Sequence, residues 1–147
     1  MWSDTLLAAE REHLLRLIVW GAASVLIGLL LLGWLRARRA SAPLLSHFAL
    51  QSVAWGAVDL ALVGFAWRDL APRDFARASA LDRLLWLNLG LDVGYMGVGV
   101  ALAAAGWTLG RRLGLVGAGL GVVVQGLALF VLDLLFVSLI GRLTIHG

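Results

Sequence analysis

Residues 87–102 read LNLGLDVGYMGVGVAL, and this stretch decides which class of fold the chain adopts. It is apolar enough to belong to a membrane-spanning helix of about 20 residues. It nevertheless contains Asn88, Asp92 and Tyr95, whose spacing i, i+4, i+7 places them on one face of a helix. A carboxylate inside such a helix predicts either a partner or a function for that carboxylate.

The whole chain has the composition of a membrane protein. Of its 147 residues, 61% are hydrophobic and 14% are charged, whereas a soluble domain is about half apolar and a quarter charged. The net charge of +3 is small, and the charges lie between apolar segments, which argues against a nucleic-acid partner. The chain contains neither cysteine nor lysine, so thiol chemistry and Schiff-base lysine chemistry are excluded.

Four apolar segments predict an all-α integral membrane protein with one transmembrane domain, residues 1–147. The predicted helices are listed in chain order as 14–35, 44–67, 84–107 and 113–140. The breaks between them are short, which predicts an up-and-down four-helix bundle with consecutive helices as antiparallel neighbours. Helices 1 and 3 are predicted to extend beyond the bilayer on the same side.

An even number of crossings predicts that both termini lie on one side of the membrane. The loops at 36–39 and 111–112 are rich in arginine and contain no acidic residue. The positive-inside rule therefore favours non-cytoplasmic termini. The predicted partners are the lipid bilayer and either further copies of the chain or a membrane complex.

Small residues recur at helix-packing distance. Gly90 and Gly94 form a GxxxG pair in helix 3, and Gly117 and Gly121 form one in helix 4. Such pairs let helix backbones approach closely in lipid, either within a bundle or in an oligomer. We expect Gly90 and Gly94 to bring a neighbouring helix close to Asp92.

Depth along the helices brings the polar residues together. A rise of about 1.5 Å per residue puts Asp59 and Asp92 ~5 Å from the bilayer midplane, and Asp133 ~10 Å from it, all on one side. Arg16 lies in the same half and is the expected counter-charge, with His13 at the margin. The candidate site for an ion, a proton or a ligand consists of Arg16, Asp59, Asn88, Asp92, Tyr95, Gln125 and Asp133. Trp55, near the midplane, is predicted either to pack in the core or to stack on a ligand.

These residues leave three functions open. The leading hypothesis is a proton- or cation-linked transporter or conduit, because a buried carboxylate can exchange a proton or hold a cation. The first alternative is a structural or accessory subunit whose polar residues fix helix packing. The second is a binder of a lipid, quinone or pigment. No catalytic nucleophile–base pair and no metal-ligand spacing occurs in the sequence, so an enzyme is the least expected class, and the cofactor is unknown.

Helices 3 and 4 resemble an uncharacterised family of small four-helix bacterial membrane proteins. The resemblance rests on Asn88, Gly90, Asp92, Tyr95, Gly99, Gln125, Gly126 and Asp133, and Trp55 extends it into helix 2. Asp59 departs from the family pattern, which has Asn at this position. The resemblance implies the four-helix membrane fold and assigns no activity.

Overall fold

The computed structural model describes residues 2–145 and folds them into four α-helices. They are α1 (Trp2–Ala37), α2 (Pro43–Arg68), α3 (Phe75–Thr108) and α4 (Leu113–Ile145). Each is long and apolar enough to cross a membrane. The predicted all-α fold is therefore confirmed. The predicted extensions of helices 1 and 3 are continuous with α1 and α3, and α4 also continues past its predicted end.

Local sequence signals account for the helix boundaries. Pro43 occupies the first turn of α2, where a missing backbone N–H leaves no hydrogen bond unmade. The Asp74 carboxylate caps α3 by accepting a hydrogen bond of 2.8 Å from the backbone N–H of Arg77. Between α3 and α4 the chain turns through Gly110, whose φ of 88° is in the left-handed region that glycine adopts without steric cost.

The helices do not pack in the order in which they occur in the sequence. The pairs α1–α2 and α3–α4 form two hairpins, and α4 also packs against α2 and α1. Among the described residues, no Cα atom of α3 lies within 8 Å of a Cα atom of α1 or α2. The expectation that consecutive helices are neighbours is therefore wrong for α2 and α3, because α4 occupies the position beside α2.

Glycines on two sides of α4 let it lie between α2 and α3. A Cβ atom on Gly121 would lie 2.7 Å from the Cβ atom of Gln51 in α2. A Cβ atom on Gly119 would lie 2.5 Å from the backbone nitrogen of Ala103 in α3. Neither approach leaves room for a side chain. The packing of α4 against α2 therefore depends on Gly121, and its packing against α3 depends on Gly119.

The bundle has a small apolar core at one end and an apolar outer surface. Leu6 and Ala9 of α1 pack with Leu85 of α3 and with Phe136 and Ile140 of α4. Large apolar side chains on the outside are widely exposed, with Leu30 of α1 at 72%. An exposed apolar surface of this extent is typical of a protein that faces lipid.

Candidate functional site

A cleft of about 480 Å³ lies where α2 and α3 do not meet. Leucine and valine make up half of its lining residues, and α1 and α4 contribute walls in addition to α2 and α3. Its polar and aromatic lining residues are Glu10, His13, Trp55, Asp59, Asn88, Asp92, Tyr95, Asp133 and Phe136. The cleft thus brings together six of the residues predicted from the sequence: Trp55, Asp59, Asn88, Asp92, Tyr95 and Asp133.

Asp59 is held by a hydrogen-bonded chain across three helices. The side-chain amide Nε2 of Gln125 in α4 donates to Oδ2 of the buried Asp59 in α2. The Gln125 Oε1 atom in turn accepts a hydrogen bond of 3.2 Å from the indole Nε1 of Trp20 in α1. These two hydrogen bonds join α1, α2 and α4, and they occupy one carboxylate oxygen of Asp59.

Asp133 has a different partner, the buried His13. The Nε2 atom of His13 lies 3.3 Å from Oδ1 of Asp133, and the two side chains are only 7% and 8% exposed. The imidazole ring of His13 stacks on the ring of Phe136, with centroids 4.4 Å apart and an interplanar angle of 11°. The stacking fixes the imidazole in position, so His13 is a permanent neighbour of Asp133 in this fold.

Asp92 is the carboxylate that the fold leaves without a counterpart. It is only 4% exposed, and its Oδ2 atom has no hydrogen-bond partner within residues 2–145. Asp59 and Asp133 are close enough to act on it electrostatically, and all three carry the same charge when ionised. A buried carboxylate without a partner is costly, so Asp92 is the position in the cleft where a proton or a cation would be stabilised.

Two aromatic side chains bridge the cleft beside these carboxylates. The rings of Trp55 in α2 and Tyr95 in α3 have centroids 5.2 Å apart and are tilted by 55°. Asp59 lies about one helical turn beyond Trp55, and Asp92 lies about one turn before Tyr95. Asp59 and Asp92 therefore each have an aromatic residue about one turn away on the same helix.

Arg16 does not take the place predicted for it. Its guanidinium lies 2.5 Å from Oε1 of Glu12, and the Arg16 side chain is 40% exposed. Arg16 and Glu12 border a separate outer groove of about 760 Å³ between α1 and α4. The expected pairing of Arg16 with the aspartates is wrong, because α1 turns Arg16 outward and turns His13 inward. A Glu four residues before an Arg favours a pair along the same helix, and this signal in the sequence pointed to the observed partner.

Gly90 and Gly94 also differ from their predicted role. A Cβ atom on either glycine would have no atom of residues 2–145 within 4 Å, since this face of α3 points away from the other helices. Close approach to Asp92 comes instead from Gly126 of α4, where a Cβ atom would lie 3.0 Å from the Asp92 carbonyl oxygen. The expectation that Gly90 and Gly94 admit a neighbour to Asp92 is therefore wrong.

Glu10 and Arg73 close one end of the site. The guanidinium of Arg73 donates to both carboxylate oxygens of Glu10, with distances of 2.9 and 2.5 Å. The Glu10 carboxylate raises the pKa of Arg73 above its ordinary value, chiefly through this hydrogen bonding. The ion pair ties α1 to the segment before α3. Sequence reasoning missed it because the two residues are 63 positions apart.

The fold and the cleft define a class of protein: a bundle of four helices, each long and apolar enough to cross a membrane, around a cleft with three aspartates. Within the described residues, no group of three or more His, Cys, Asp or Glu side chains is arranged to hold a metal ion. The chain belongs to a family of unknown function, DUF6992, whose model matches residues 16–134.

The match confirms the predicted membership of an uncharacterised family and extends it beyond helices 3 and 4. It includes Trp55 and all three aspartates of the cleft, whereas His13 and Glu10 precede the matched region. No curated protein and no solved structure matches the chain.

Proposed function

We propose that the protein is a proton- or cation-linked membrane carrier in which Asp92 binds the exchanging ion. One observation supports this most directly: Asp92 is buried, has an unpartnered oxygen and borders a cleft between helices.

In this proposal the protein lies in a bacterial inner membrane with both termini on the non-cytoplasmic side. Labelling of a single cysteine introduced at 38–42 would contradict that orientation if the label reacted from outside the cell.

The three aspartates have separate roles in the proposal. Asp59 belongs to the framework, because it accepts a hydrogen bond from Gln125, which itself accepts one from Trp20. Asp133 sets the charge of the cleft together with His13. Asp92 alone is free to alternate between a proton and a cation, and Asn88 and Tyr95 supply polar groups on the same wall.

Proteoliposomes with an acidic interior and an enclosed pH-sensitive dye test the proposal. Sodium, potassium, ammonium and tetraphenylphosphonium salts are added outside in turn, and exchange for internal protons raises the internal pH. We expect exchange by the wild type, and exchange at the level of protein-free liposomes for Asp92→Asn, because an amide neither releases a proton nor carries a charge.

Asp82→Asn is the matched control, since Asp82 is on the same helix but outside the cleft lining. It should exchange like the wild type. Exchange by Asp92→Asn at the wild-type rate would refute the role of Asp92. No exchange of any tested cation above the protein-free rate would refute the carrier.

A second candidate function is binding of a lipid, quinone or pigment, favoured by the apolar lining of the cleft and by the ring pair of Trp55 and Tyr95. Such a ligand would copurify from native membranes and would be found by solvent extraction and mass spectrometry. Trp55→Ala should then lose it, whereas Trp86→Ala, on the exposed outer surface, should keep it. Purified protein without any extractable ligand would contradict this function.

The accessory-subunit alternative is favoured by the open face of α3 around Gly90 and Gly94. A GxxxG surface that has no neighbour among the described residues is suited to a helix of another chain. In this case a protein would copurify stoichiometrically from native membranes and would be lost on Gly94→Leu. Retention of that protein by the Gly94→Leu variant would exclude this face as the contact.

A further inference from the structure

We infer that the cleft between α2 and α3 binds a lipophilic organic cation, with Asp92 as its counter-ion and the Trp55–Tyr95 ring pair packed against its apolar body. The inference rests on the proposed carrier function and specifies its substrate class as a hydrophobic ammonium or a similar onium ion. It follows from the charge, the aromatic lining and the access route of the cleft.

The charge of the cleft favours a cation. The ionisable groups that face Asp92 are Asp59 from α2, Asp133 from α4, and His13 and Glu10 from α1. Glu10 is neutralised by Arg73, and His13 is paired with Asp133. No cationic side chain is left over for Asp92 among the lining residues, so a bound positive charge would be its counterpart.

The lining disfavours an inorganic metal ion. Divalent calcium and magnesium require about six or more oxygen ligands, supplied by protein or by water. In the described part of the chain, the carboxylates do not form a group suited to a metal, and most of the surrounding wall is hydrocarbon. An organic cation carries apolar groups that displace water from this wall. It needs only one carboxylate as its counter-charge.

The aromatic pair is suited to the same kind of ion. Trp55 and Tyr95 extend towards each other from two helices whose backbones do not meet, and they lie on the same walls as the carboxylates. Cations bind the faces of such rings, and tryptophan is the strongest partner. A carboxylate and a pair of aromatic rings that line the same cleft are suited to a charge that is attached to an apolar body.

The position of the cleft provides access from the hydrocarbon layer. Leu62 of α2 and Leu84 and Leu91 of α3 line it and are 62%, 52% and 46% exposed. These rim residues are within the segments that are long and apolar enough to cross a membrane. The volume of about 480 Å³ is in the range of small-molecule pockets, so a lipophilic cation can enter sideways between the two helices.

Equilibrium dialysis of the full chain in detergent micelles with radiolabelled tetraphenylphosphonium tests the inference. We expect saturable binding at one site per chain that weakens as the pH is lowered, because protons compete for Asp92. Asp92→Asn should weaken binding about tenfold or more, since the buried counter-charge is lost. Asp92→Glu should restore pH-dependent binding, and Asp82→Asn should bind like the wild type.

Trp55→Ala should also weaken binding, whereas Trp86→Ala, which removes an exposed ring outside the cleft, should not. Triphenylphosphine oxide, neutral and of similar shape, serves as the competitor. Competition by this compound as strong as that by unlabelled tetraphenylphosphonium would overturn the charge requirement. Equal binding by the wild type and Asp92→Asn would overturn the inference as a whole.

The binding assay and the exchange assay test the ligand class and the carrier function separately. Exchange of small cations in proteoliposomes without tetraphenylphosphonium binding would overturn the substrate class and leave the carrier function standing. Asp92-dependent tetraphenylphosphonium binding without exchange of any cation would support the ligand class and refute the carrier.

Discussion

Substitution of Gly119 by alanine should destabilise the bundle, whereas the same substitution at Gly94 should not. A Cβ atom at Gly119 would lie 2.5 Å from the backbone nitrogen of Ala103 and closer still to the carbonyl oxygen of Gly99. Both obstacles are backbone atoms of α3, which cannot rotate out of the way as a side chain can. At Gly94 the added methyl group would meet no atom of the described part of the chain within 4 Å.

The expected magnitude combines two opposing effects. Overpacking of a filled interface costs about 1–3 kcal/mol, and rigid backbone neighbours favour the upper part of that range at Gly119. Alanine is preferred over glycine in a helix by about 1 kcal/mol, and this gain applies to both positions. The free energy of unfolding should therefore fall by roughly 1–2 kcal/mol for Gly119→Ala and rise by up to about 1 kcal/mol for Gly94→Ala.

Reversible unfolding in mixed micelles of increasing SDS content, followed by far-UV circular dichroism, measures both variants against the wild type. The comparison is internal because each variant adds one methyl group to a glycine within a helix. Destabilisation by Gly94→Ala equal to that by Gly119→Ala would refute the open face of α3 at Gly94. An unchanged stability of Gly119→Ala would refute the close approach of α3 to α4.

Two further predictions concern the paired polar residues. His13→Leu should lower the free energy of unfolding by about 1–3 kcal/mol, because it leaves the buried carboxyl group of Asp133 without its partner. Most of this loss should be recovered in the double variant with Asp133→Leu, and additive losses in the double-mutant cycle would contradict the pairing. Trp20→Phe keeps an aromatic ring but removes the donor to Gln125, so it should cost about 1 kcal/mol in the same unfolding assay. Tetraphenylphosphonium binding should stay unchanged in Trp20→Phe. Loss of binding in this variant would show that the hydrogen bonds from Trp20 through Gln125 to Asp59 belong to the binding site.

The division between paired and unpaired carboxylates separates the structural role from the binding role. Asp59 is paired with Gln125, and Asp133 is paired with His13. Both pairs join different helices, which is what interhelical polar contacts do in membrane bundles. Asp92 has no such partner on its unpaired oxygen within residues 2–145, so its position in the cleft is not explained by helix packing.

Much of the candidate site was predictable because depth along a helix follows from residue number. A fixed rise per residue converts position into height, and this placed Asp59, Asp92 and Asp133 at similar levels before any packing was known. The same calculation could not distinguish Arg16 from His13, which are less than one turn apart in α1. Which of the two points inward depends on the rotation of α1 about its axis, and packing against the other helices sets that rotation.

The sequence by itself determined four long apolar helices, their order, their approximate ends and the level of each polar residue, because these properties depend on local composition and helix geometry. Only the tertiary structure decided that α4 lies between α2 and α3, that His13 rather than Arg16 meets Asp133, and that Gly90 and Gly94 face outward. These outcomes depend on which backbones approach most closely. Many glycines along the chain allow several close approaches, and the sum of contacts over the whole bundle selects one of them.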